Sequence, residues 1–161
     1  MKHRTVHLVT LLLVMALAVA ASAQPGPPGT PAKSGTATFT FNGAAVTYGK
    51  VGGTFNQSYG YTAIGLNFSK DGNPGSDHLS INLMVQGLGK VDLNAPFGNG
   101  IGVWKGGAIF SYEKGKSVCD VVLAKVSATE VEGTAECPTL NELNGSRTAS
   151  LTHLKFSAKT N

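Results

Sequence analysis

At 161 residues and a formal net charge of +4, with 14% charged residues, the chain suits a single domain with a real hydrophobic core. Beyond the first few residues its Lys and Arg are scattered singly from Lys33 to Lys159, which excludes the cation clusters that nucleic-acid binding needs. Two isolated cysteines without C-x-x-C spacing argue against zinc or thioredoxin chemistry, and no cofactor motif is present.

The chain opens with MKHRTVH, the apolar run LVTLLLVMALAVA and then Ala21-Ser22-Ala23. A basic start, a short apolar stretch and small residues at the cleavage site form a secretory signal peptide over residues 1–23, bacterial in style. The run is too short to cross a bilayer comfortably, and nothing after it approaches the ~18 apolar residues a spanning helix requires, so no membrane span is expected in the mature chain. Removal of the signal takes Lys2 and Arg4 with it, leaving eleven cations against nine anions and a net charge of +2. The predicted location is periplasmic or secreted.

Residues 24–35, QPGPPGTPAKSG, read as an extended proline-rich tether, and residues 36–161 as one β domain. From Thr36 the apolar pattern has period two, which puts alternate side chains on opposite faces of a strand. TATFTFNG sends Ala37, Phe39 and Phe41 inward. YGYTAIGLNFSK sends Ile64, Leu66 and Phe68 inward, and HLSINLMVQG does the same with Leu79, Ile81, Leu83 and Val85. AAVTYGKV, GIGVWKGG, AIFSYEKG, SVCDVVLAKV, EVEGTAEC and TASLTHLKFSA are further strand-like runs, separated by Gly, Asn, Asp and Pro clusters. No stretch carries a helical stripe, and PTLNELNG, the best local helix candidate, is too short for more than a turn or two. The predicted fold is all-β, a small antiparallel β-sandwich or barrel of about eight to nine strands.

Cys119 and Cys137 flank the turn signal SATE. A hairpin folded about Ala128 sets Cys119 opposite Cys137, Val121 opposite Ala135 and Leu123 opposite Gly133, which predicts a structural disulfide in an oxidising compartment. The same register puts Asp120 opposite Glu136, with Glu132 on the same face. Paired carboxylates are candidates for a metal site or for glycoside hydrolysis, and a solvated face relieved by nearby lysines is the plainer expectation. DGNPGSD spaces Asp71, Asn73 and Asp77 alternately but lacks the rest of a calcium loop, and reads as a turn. His78 and His153 sit in strand-like runs without a nucleophile signature, so no catalytic residue is expected.

FGNGIGVWKGG carries Phe97 and the only tryptophan, Trp104, as rim aromatics able to stack on a sugar or fill an apolar pocket, with Tyr59 and Tyr61 as a second aromatic patch. The function expected from these residues is an exported, non-catalytic binding module without a cofactor, whose partner is a small apolar molecule, a glycan or a protein. Two alternatives stand beside it. One is a self-assembling cell-surface or matrix protein that uses its strand edges. The other is a carboxylate-dependent hydrolase that uses Asp120 with Glu136 or Glu132.

Overall fold

The structure, a computed structural model, describes residues 29–73 and 75–161; the expected signal peptide over residues 1–23 and the start of the proline-rich lead lie outside the described residues. The elements are β1 (Thr30–Pro31), β2 (Ser34–Phe41), β3 (Ala44–Tyr48), β4 (Lys50–Ser58), β5 (Tyr61–Ser69) and β6 (His78–Val85). They continue with β7 (Gly89–Lys90), β8 (Gly100–Lys105), β9 (Ala108–Ser111), β10 (Val118–Val126), β11 (Glu130–Glu142) and β12 (Thr148–Lys159). Every pairing among them is antiparallel, in the order β1-β4-β5-β6-β8-β9-β11-β12-β2-β3, with β10 joining β11 and β7.

The all-β class is as the period-two pattern predicts, but there are twelve strands rather than eight or nine. β1 and β7 have two residues each, too few to show a period. β4 is hidden by its own composition, because VGGTFNQS offers only Val51 and Phe55 as apolar side chains. Gly53 explains why this unpromising run pairs with β5. It has φ +119°, and a Cβ there would run into the carbonyl oxygen of Gly65, so the approach of the two strands needs a residue without a side chain. PTLNELNG forms no helix; most of it extends β11, and the chain then turns at Leu143 to Arg147.

The lead joins the sheet before Thr36. Thr30 and Pro31 pair with Phe55 and Thr54, the Ala32 amide donates to the Gly53 carbonyl at 2.9 Å, and the Lys33 amide donates to the Lys159 carbonyl at 2.7 Å. This segment ties β4 to β12. On the opposite side the 13-residue β11 pairs with β10 along most of its length and with β9 through Asn141 and Glu142, so it passes from one half of the sheet to the other. Register shifts between Ala135 and Leu140 mark where it bends.

The sheet is folded over on itself. Phe68 of β5 meets Phe156 of β12 at 6.4 Å between ring centroids, and Phe41 of β2 meets Phe110 of β9 at 5.7 Å, contacts between strands that are not neighbours in the sheet order. All three predicted inward sets are buried in one continuous core, from Ala37 through Val85, together with Ile101, Val103, Leu123, Leu140, Leu151 and Leu154. The interior is lined by these apolar side chains packed against one another.

Candidate functional site

The outer face of β5, β6 and β8 follows from the core face by alternation. With Ile64, Leu66, Leu79, Ile81, Ile101 and Val103 turned inward, Ala63, Gly65, Ser80, Asn82, Gly100, Gly102 and Trp104 point outward. Register then aligns them in rows: Gly65 with Asn82 and Gly100, Ser80 with Gly102 and Ser111, His78 with Trp104 and Ile109. The two glycine positions of β8 lower the middle of this face into a shallow trough of about 300 Å³ under Trp104, His78, Ile109 and Tyr112.

Two of the floor glycines have no structural excuse. A Cβ on Gly100 would meet nothing within 4 Å, and one on Gly65 would meet only Asn82 Oδ1 at 3.5 Å, an ordinary contact; neither has a positive φ. Glycine in a strand interior costs stability relative to a residue with a side chain, and close approach of another molecule is a recognised reason to keep it. Gly102 differs, since a Cβ there would press on the Phe110 carbonyl oxygen at 3.1 Å.

Trp104 stands at one end of the floor, 41% exposed, with His78 beside it at 5.2 Å between ring centroids. His78 Nδ1 lies 2.9 Å from the Ser76 carbonyl oxygen, which accepts only from a protonated nitrogen. The neutral ring is therefore held with Nε2 as its acceptor. Asn82 Nδ2 donates to Ser80 Oγ at 3.1 Å, fixing the amide in the centre of the trough. Phe97 is at the other end, 49% exposed and edge-on to Tyr61 at 5.3 Å. The buried Asn99 holds it there. Its Oδ1 accepts from the Met84 amide at 2.6 Å and its Nδ2 donates to the Asp92 carbonyl at 2.9 Å, clamping the loop before β8 onto β6.

Phe97 and Trp104 therefore do not share a rim, as the sequence suggested. Trp104 is on a strand level with His78, whereas Phe97 lies by Met84, six residues further along β6 and ~20 Å away at strand rise. Tyr61 is on the predicted face of β5, opposite Ile64. Tyr59 is not on the strand at all. It occupies the β4–β5 turn with φ +51°, followed by Gly60 at +80°, and is 99% exposed at the same end of the molecule as Tyr61.

The cysteine hairpin forms in the predicted register, with Asp120 opposite Glu136, Val121 opposite Ala135 and Leu123 opposite Gly133. Cys119 and Cys137 are joined as a disulfide. The alignment shifts by one residue at Ala124, so Lys125 faces Glu132, and the turn is closed by Ser127, whose Oγ accepts from the Thr129 and Glu130 amides. The candidate carboxylates have local partners: Asp120 pairs with Lys90, and Glu136 Oε1 accepts from the His153 amide at 2.8 Å, where β12 bulges with φ +53°. Among the described residues no three His, Cys, Asp or Glu side chains converge as a metal site would need.

The DGNPGSD loop is held from within. Asp71 Oδ1 accepts from the Asn73 amide and the Ser76 hydroxyl, both at 2.9 Å, and these bonds hold its carboxyl below the usual range. Asp77 accepts from Lys105 Nζ and the Gly106 amide at 2.8 Å each, with the same effect. No protein-family model, curated protein or solved structure matches the chain.

Proposed function

We propose that this chain is an exported, non-catalytic binding module that holds an uncharged polar ligand, a glycan, on the outer face of β5, β6 and β8 against Trp104. The observation that carries this reading is the pair of glycines, Gly65 and Gly100, that keep the floor flat where neither backbone nor packing asks for glycine. A half-exposed Trp104 beside that floor offers a ring for the apolar face of a sugar, and Asn82, Ser80 and Ser111 offer hydrogen-bonding groups for its hydroxyls. The packed interior favours this over a small apolar ligand, which would need an enclosed cavity. Engagement of Asp120 by Lys90 and of Glu136 by the His153 amide favours binding over hydrolysis. Export is supported by the signal sequence and by the Cys119–Cys137 disulfide, which needs an oxidising compartment.

The test is native electrophoresis of residues 24–161 through gels containing neutral polysaccharides. Retardation in at least one gel, lost on Trp104→Ala, is expected. Free migration in every neutral gel would contradict the reading.

A second reading, self-assembly, is favoured by one feature. β3 is an edge strand, AAVTY, paired only with β2 and free of the charged residues that usually guard an edge. Sedimentation showing a monomer at all concentrations would remove it.

A further inference from the structure

We infer that the ligand is an extended, uncharged polysaccharide chain lying along β6 and β8, with Trp104 at one end of the contact and Tyr61 with Phe97 at the other; this rests on the glycan reading above. Three observations carry it. First, the trough is continuous. The depression under Trp104 shares Asn82 with the one over Gly65 and Asn99, and that one shares Phe97 with the depression against Tyr61. Six residues of strand separate the two aromatic ends, ~20 Å, which a single sugar ring or a disaccharide cannot bridge.

Second, although the depression against Tyr61 includes Lys90 and Asp92, one charge of each sign, none of the described Lys, Arg, Asp or Glu residues lines the stretch from His78 to Phe97. A polyanion would find no cation there, and a polycation no carboxylate, whereas Asn82, Ser80 and Thr54 suit hydroxyl groups. Third, the floor is flat and open along its length, with glycine in the middle and rings at both ends. That geometry accepts an internal stretch of a ribbon-like polymer rather than a buried chain terminus.

Trp104 is the only tryptophan, so its fluorescence reports on one end of the trough alone. Residues 24–161 would be titrated with cello-, xylo- and manno-oligosaccharides from dimer to hexamer, with polygalacturonate as a charged control. The expected result, in at least one series, is a fluorescence change whose Kd tightens by about ten-fold with length, since two further rings are engaged. Tyr61→Ala with Phe97→Ala should remove the tightening and leave the dimer response. Equal affinity for dimer and hexamer would overturn the extended chain and leave a short-sugar site at Trp104. No response to any neutral series would overturn both readings, and tighter binding of polygalacturonate would overturn the uncharged one.

Discussion

Gly100 gives the sharpest contrast between stability and binding at the level of a single residue. Replacing it with Val adds a β-branched side chain to a strand position with open space around it, so the melting temperature should stay the same or rise, corresponding to roughly 0.5 kcal/mol. The same side chain stands in the trough, so polysaccharide retardation should be lost. A variant that binds normally would show that the floor is not used. Cys119 and Cys137 act on stability alone. They close a loop with a sequence separation of 18, and replacing both with Ser should cost ~3 kcal/mol in urea denaturation, with binding retained.

At the scale of elements, β4 is the strand whose formation depends most on one position. Gly53→Ala combines a left-handed φ with a collision against the Gly65 carbonyl and should cost ~3 kcal/mol, read as a lower urea midpoint. The core faces of β2, β5, β6 and the cysteine hairpin were legible because alternation and a symmetric turn are local properties of the chain. β4 was not, because Gly52-Gly53 erases the period, and the need for glycine at position 53 comes from a backbone carbonyl on the partner strand, which β4's own residues do not reveal. The trough was half legible. Trp104 was singled out, yet Phe97 was placed beside it because they are close in sequence, whereas the straight run of β8 carries Trp104 away from the loop. His78, Asn82 and Gly65 were missed as neighbours because the lateral order of strands is not written in any one of them. A glycine at an outward strand position, with no turn to explain it, was the available signal.

For the whole molecule, charge pairs set the response to acid. Glu130 is held below its ordinary value of 4.5 by hydrogen bonds from Lys125 and Lys159, and Glu142 by Arg147. Asp77 is held below 3.8 by Lys105. These folded-state values are depressed, so the stability they contribute is complete above the ordinary carboxylate range and is lost as pH falls through it. The melting temperature should be level near neutrality and decline below about pH 4.5, with a shallower decline in Glu130→Gln. Because the proposed ligand is uncharged and none of the described Lys, Arg, Asp or Glu residues lines the trough from His78 to Phe97, binding should also be insensitive to salt, unlike recognition of a polyanion. The central claim is that the ligand lies on the outer face of β5, β6 and β8, and the most direct test is amide and indole NMR mapping of residues 24–161 as a retarding polysaccharide's oligomers are added. Shifts should concentrate on the Trp104 indole, Gly65, Asn82, Gly100 and Gly102. Shifts confined to β2, β3 and β12, or to the Asp120 and Glu136 face, would contradict the account.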